Sequence, residues 1–199
     1  LTVCNITTPG GKAQVYLQGA HVTAYEPTGE QPVIYMSPRS RFVPGSPIRG
    51  GVPVCFPWFG PRENDPAAPA HGFARILPWK AADVIRDGDV ITLSMQLDSD
   101  ENTRRHWPFE FRAICRVTVA AHLQIELEIV NWSDRSFEFT EALHSYFTVK
   151  DVRNIAVTGL EKMKFIDKVA GGLQEPAGKE IYFEGETDRV YIDTTDTCV

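Results

Sequence analysis

Alternation with a period of two runs through most of the readable segments of this chain and constrains its fold more than any other feature. Within residues 90–97, Ile91, Leu93, Met95 and Leu97 fall on one face, while Thr92, Ser94 and Gln96 fall on the other. Successive side chains of a β-strand point to opposite faces, so the pattern predicts a strand buried on one side. Phe109, Phe111, Ala113, Cys115, Val117 and Val119 repeat it against Glu110, Arg112, Arg116 and Thr118. After a turn over 120–122, Leu123, Ile125, Leu127 and Ile129 repeat it against Gln124, Glu126 and Glu128, which predicts an antiparallel hairpin. Shorter strands are predicted at 13–17, 33–36, 137–147, 155–158, 181–183 and 189–192. No window of eleven or more residues carries a helical apolar stripe. The chain reads as all-β, a sandwich or barrel.

Its 199 residues suit one domain over 1–199 with a substantial core. Twenty basic against twenty-six acidic side chains leave a formal charge of −6, which argues against a nucleic-acid binder. No apolar run approaches the eighteen residues of a membrane span, so no membrane partner is expected. Cys4, Cys55, Cys115 and Cys198 are too few and too scattered for a disulfide scaffold or a metal knuckle and read as reduced thiols. The opening Leu1-Thr2-Val3-Cys4-Asn5 shows no secretory signal, so a cytoplasmic location is expected and the sequons at Asn5 and Asn131 are discounted.

Residues 32–62 break the strand pattern. They hold seven of the fourteen prolines, four arginines (Arg39, Arg41, Arg49 and Arg62) and no Lys, Asp or Glu, a local reversal of charge in an acidic chain. Such a stretch reads as a long ordered loop, and long loops tend to carry function. Within it, Arg49 precedes Gly50-Gly51, a combination suited to clamping a carboxylate or phosphate, although a turn with a solvated Arg would look the same. In His71-Gly72-Phe73-Ala74-Arg75 an extended backbone would put His71 and Arg75 on one wall of a cleft. His144 lies in a strand-like run with aromatic neighbours, where a satisfied core histidine is the commoner reading and general acid–base work the functional one. Glu141 has the opposite strand parity to His144 and is no partner for it unless a bulge intervenes. Trp58, Phe59 and Trp79 offer faces for stacking on a sugar ring or for an ordinary core. His21, His106 and His122 read as structural, and Asp167 and Asp188 as solvated turn residues. Nucleotide-binding, zincin and nucleophile-elbow motifs are absent.

Taken together, seven ordered blocks are more specific than any one of them: Ser37-Pro38-Arg39, the run from Ile48-Arg49-Gly50-Gly51 to Phe56-Pro57-Trp58-Phe59-Gly60, Ala70-His71-Gly72-Phe73-Ala74-Arg75, Thr140-Glu141-Ala142-Leu143-His144-Ser145-Tyr146-Phe147, Val157-Thr158-Gly159-Leu160, Phe165-Ile166-Asp167-Lys168 and Asp188-Arg189-Val190-Tyr191. In this order they resemble the hexose-6-phosphate mutarotase branch of the aldose 1-epimerase family. The resemblance implies a galactose-mutarotase-like β-supersandwich that interconverts sugar anomers without a cofactor or metal. It implies a catalytic role for His144, a supporting role for His71, and phosphate contacts from Arg49 and Arg75. Asp188 and Trp58 would contact the sugar. Members of that family continue past the equivalent of Val199 through strands carrying a Glu general base. The chain is therefore expected to be C-terminally incomplete and poorly active by itself, with its oligomeric state open.

The implied substrate is a hexose 6-phosphate. The readings set against it are a non-catalytic carbohydrate-binding module on the same sandwich, a general aldose 1-epimerase for unphosphorylated sugar, and a metal-dependent sandwich enzyme ligated by His71 and His144. The last lacks a compact His-x-His group with a nearby carboxylate.

Overall fold

A computed structural model describes residues 1–62, 65–176, 178–194 and 198. They form two compact units, Leu1–Thr148 and Val149–Val199.

The first unit opens with a three-stranded antiparallel sheet of β1 (Val3–Thr8), β2 (Gly11–Tyr16) and β3 (His21–Pro27). A two-residue strand, β4 (Val54–Cys55), precedes β5 (Lys80–Asp87) and β6 (Val90–Asp98). The short helix α1 (Glu101–His106) then leads to β7 (Phe111–Val119), β8 (Leu123–Asn131) and the two-residue β9 (Ala142–Leu143). Strands β5 to β8 form an antiparallel meander in chain order. The alternation in 90–97 and 109–129 appears as β6, β7 and β8 with the expected hairpin pairing, and Val119 faces Leu123 across its turn. Along β7, Phe111, Ala113, Cys115, Val117 and Val119 are fully buried while the residues between them are half-buried. Burial pushes the Cys115 thiol up to about 12, because a thiolate there would lose its solvation.

Two details carry one sheet against the other. Tyr25 of β3 donates its hydroxyl to the Ala120 carbonyl at 3.2 Å, in the β7–β8 turn. A Cβ at Gly10, in the β1–β2 turn, would lie 2.4 Å from the Ala121 nitrogen, so no larger residue fits that approach. Ile6, Ala13, Val15, Val22 and Tyr25 from the first sheet and Leu93, Met95, Leu97 and the inward residues of β7 from the second make one core. Phe56, Phe73, Trp79 and Trp107 join it from the connecting segments.

Among these strands β1, β3, β4 and β5 were not foreseen. Every residue of β5 is exposed, so no apolar face marks it in the sequence. Helix α1 is too short for a periodic stripe. It starts with a capping box, in which the Asp100 side chain accepts from the Thr103 amide and Thr103 Oγ1 accepts from the Asp100 amide, both at 2.8 Å. The predicted strands at 33–36 and 137–147 are realised largely as bridges and backbone hydrogen bonds flanking β9.

In the second unit β10 (Ala156–Val157) pairs with β13 (Ile181–Tyr182), while β11 (Phe165–Asp167) lies between β12 (Leu173–Gln174) and β14 (Arg189–Tyr191). Asp167 is buried, which corrects its reading as a solvated turn residue. Its Oδ1 accepts from the amides of Ala170 at 2.8 Å and Val169 at 2.9 Å, and its Oδ2 meets Arg189 Nε at 3.3 Å. The Ala170 amide above all holds this carboxyl below the usual range. Among the described residues no helix is long and apolar enough to cross a membrane.

Phe111 is fully buried and packs against Phe56 at 5.3 Å, Trp107 at 5.5 Å and Phe73 at 6.0 Å between ring centroids. Phe111→Ala is expected to cost about 3–5 kcal/mol in denaturant unfolding. Val84→Thr on the exposed face of β5 should stay within about 0.5 kcal/mol. Equal costs for the two would show that the core has been misplaced.

Candidate active site

The segment 51–57 and the segment 140–146 run antiparallel in a single register. Thr140 N donates to Pro57 O at 3.2 Å, Cys55 faces Ala142, Val54 faces Leu143, His144 N donates to Pro53 O at 3.1 Å and Tyr146 N donates to Gly51 O at 2.9 Å. Pro53 and Pro57 have no N–H, so the ladder is hydrogen-bonded unevenly and only its centre is regular strand. The unbroken register leaves no bulge between Glu141 and His144, which keeps their opposite parity.

This seam places His144 beside three other rings. Phe59 lies 6.3 Å from His144 in near-parallel stacking and 4.7 Å from His71 edge-on. The two imidazoles are 6.4 Å apart at 74°, and Tyr146 tilts over His144 at 4.8 Å. His71 is not on an extended strand. It and Gly72 have φ of +63° and +73°, a tight turn that overturns the expected side-by-side array of His71, Phe73 and Arg75. The turn itself is required by packing, because a Cβ at Gly72 would lie 2.0 Å from Phe56 O. It is closed by a reciprocal pair: His71 N donates to Gly60 O at 2.7 Å, and Gly60 N donates to His71 Nδ1 at 3.2 Å. Because Nδ1 accepts, the ring proton of neutral His71 sits on Nε2, which makes this histidine a hydrogen-bond donor.

The His144 Nδ1 is buried with no hydrogen-bond partner among the described residues. The same is true of Arg75 Nε, while Arg75 Nη2 donates to Ala70 O at 2.6 Å. Burial lowers the Arg75 pKa; Cys55 and Tyr146 act against that, and the positive charge of Arg49 lowers it further. Two guanidinium groups therefore sense each other with no carboxylate among those influences. Arg49 is exposed, at the edge of a buried Gly50-Gly51 turn. The long stretch 32–62 is thus not a surface loop throughout: residues 50–57 are all buried and form one side of the seam.

Other expected residues lie elsewhere. Trp58 is half-buried, its indole N–H donating to Pro69 O at 3.0 Å, its ring edge-on to Phe73 at 5.7 Å and covered by the Arg62 guanidinium at 4.8 Å. Phe59, one residue on, is the aromatic that meets the histidines. Trp79 is core, donating from Nε1 to Ala74 O at 2.9 Å. Asp188 belongs to the second unit, exposed, with its carbonyl accepting from Lys168 N at 2.8 Å. Sequence reasoning passed over Tyr146, whose signal was a Tyr two residues from His144, and its structural reading of His21 agrees with the full burial of that ring. Among the described residues no three His, Cys, Asp or Glu side chains gather as a metal site.

The chain belongs to the aldose 1-epimerase family, whose model matches residues 2–199. It is 41% identical over 192 residues to an Escherichia coli (strain K12) protein named "Putative glucose-6-phosphate 1-epimerase", covering 96% of this chain and 63% of that protein. A Salmonella typhimurium relative of the same name is 42% identical over 185 residues, covering 92% and 61%. The chain thus spans less than two thirds of the curated relatives it matches. Among solved structures, a Salmonella typhimurium protein described as a mutarotase superposes with a TM-score of 0.90 at 38% identity, over 98% of this chain and 65% of that one. A galactose mutarotase related enzyme from Lactobacillus acidophilus superposes at 0.66 with 18% identity, over 92% and 65%, which shows the shared fold. The galactose-mutarotase-like fold expected from the sequence is the fold of this chain.

His21, fully buried beneath the Gly50-Gly51 turn, is lowered from 6.5 to about 4, mainly by burial, with Arg75 adding to the effect and a hydrogen bond to Gly50 opposing it. The unfolded chain takes up a proton near pH 6.5 that the folded chain refuses until about pH 4. Folding stability is therefore expected to fall by about 3 kcal/mol as pH drops through that window. Urea unfolding of the wild type and of His21→Gln at pH 7 and pH 4.5 checks this, since the variant should lack most of that loss. Equal losses in the two would assign the pH dependence to other groups.

Proposed function

We propose that the full-length protein interconverts the α and β anomers of a hexose 6-phosphate, glucose 6-phosphate above all. The observation that carries the reading is a half-buried Arg75 whose Nε–H has no acceptor among the described residues, near enough to Arg49 for the two positive charges to influence each other. A buried donor without a partner is uncommon, and a phosphate oxygen would satisfy it. The names of the Escherichia coli and Salmonella typhimurium relatives support the same substrate.

Mutarotation needs a base to take the proton from the C1 hydroxyl and an acid to protonate the ring oxygen. The C1–O5 bond then breaks to an open-chain aldehyde, rotation about C1–C2 exposes the other face, and the reverse transfers close the ring as the other anomer. Groups of this kind work best when their proton affinities are held apart. In this reading His144 is the acid. His71, donating from Nε2, orients the sugar, and Phe59 and Tyr146 stand beside the imidazoles. The base is the Glu that the family resemblance places beyond residue 199. Arg49 and Arg75 bind the phosphate far from C1 and use that binding to align the reacting atoms. The reading carries no cofactor.

His144→Ala in the full-length protein should lower kcat for anomer exchange by about 100- to 10,000-fold with KM changed less than about threefold, because a general acid acts in the transition state. Exchange spectroscopy on the anomeric protons gives both numbers, and a variant keeping half the wild-type kcat would remove His144 from the acid role.

Arg49→Ala and Arg75→Ala should each lower kcat/KM for glucose 6-phosphate by about 10- to 150-fold at fixed ionic strength. Glucose, which offers the guanidinium no charge, should be affected little. Equal losses for both sugars would leave a general aldose 1-epimerase.

A further inference from the structure

The Arg49-Gly50-Gly51 turn is held on every side. Gly50 and Gly51 have φ of +96° and +72°, and their absent Cβ atoms would lie 2.7 Å from Tyr35 O and 2.4 Å from Val22 O. All three carbonyls of the turn accept a hydrogen bond: Arg49 O from Ser37 N at 3.3 Å, Gly51 O from Tyr146 N at 2.9 Å and Gly50 O from His21 Nε2 at 2.8 Å. The outer two bonds are backbone, inherent in the chain path. The middle one alone comes from a side chain.

That side chain is an unusual choice for its place. His21 is fully buried in the core-facing part of β3, next to Ala20 and Val22, which are core. A carbonyl can only accept, so Nε2 carries the proton and Nδ1 is left as an acceptor, buried and without a partner among the described residues. An unpaired buried acceptor costs stability, whereas an apolar side chain of similar volume would fill the space without that cost. What the histidine returns is the bond to Gly50 O, directly beside the exposed Arg49. The neutral ring also adds no third positive charge beneath the two arginines.

We infer that His21 is a positioning residue for anion binding: its bond to Gly50 holds the turn in the conformation that presents the Arg49 guanidinium to a phosphate. The inference rests on the proposed function for the contact between Arg49 and a phosphate. Without the bond, the two glycines leave the turn free to sample other conformations, and Arg49 spends less time aimed at the anion.

The test uses the full-length protein and two readouts. The first is the Kd of inorganic phosphate by NMR titration; the second is anomer exchange with glucose 6-phosphate and with glucose. His21→Leu should weaken phosphate binding and raise KM for glucose 6-phosphate by about tenfold each, with kcat and the glucose reaction within about twofold of wild type. His21→Gln, whose amide reaches the Gly50 carbonyl, should restore both. Should His21→Leu not fold, His21→Asn, whose amide stops short, is compared with His21→Gln under the same expectation. An unchanged phosphate Kd in the Leu or Asn variant, a folded Gln variant as weak as Leu, or parallel losses for both sugars overturns the inference. A wild-type protein that binds phosphate without accelerating anomer exchange refutes the proposed function, and the phosphate titration alone then decides the role of His21. A wild type that binds no phosphate overturns both.

Discussion

One antiparallel seam organises the first unit. The pairing of 51–57 with 140–146 sets Phe56 into the core against Phe111, Trp107 and Phe139, and on the same few residues of chain it sets Phe59 against His71 and His144. Core and site are therefore built on the same residues of backbone. A shift of one residue in this register would exchange the faces of every side chain along it, moving the histidine away from its ring partners and an aromatic out of the core. The two prolines in the seam remove donors and weaken it as a ladder, and burial of the whole 50–57 stretch compensates.

Electrostatics around the seam follow from what is absent as much as from what is present. The chain carries six more acidic than basic groups, yet no carboxylate is among the groups that shift Arg75, and the cation among them is Arg49. The three histidines of this region are differentiated by environment. His21 is kept neutral by burial, His71 has its tautomer set by the Gly60 amide, and His144 is left with a buried Nδ1 lacking a partner among the described residues. Three copies of one side chain thus sit in three different environments.

The sequence by itself determined three of the four strands of the meander and the chemical inventory. Alternation in 90–129 survives into β6, β7 and β8 because half-buried strands write their faces directly into the order of residues. The motifs around Arg49, His71, Arg75 and His144 were equally visible, since their residue types are rare together. Tertiary structure decided the rest. Strand β5 has no buried face to announce it, and the seam is interrupted by prolines that disguise it as loop. The turn at His71 and Gly72 depends on the approach of Phe56 O, a residue fifteen positions away in the chain, so no local pattern encodes it. Phe59 replaces Trp58 at the histidines, and His21 lies under Gly50, because both depend on which segments pack face to face. Such contacts join residues far apart in sequence, and their geometry is fixed only when the core closes.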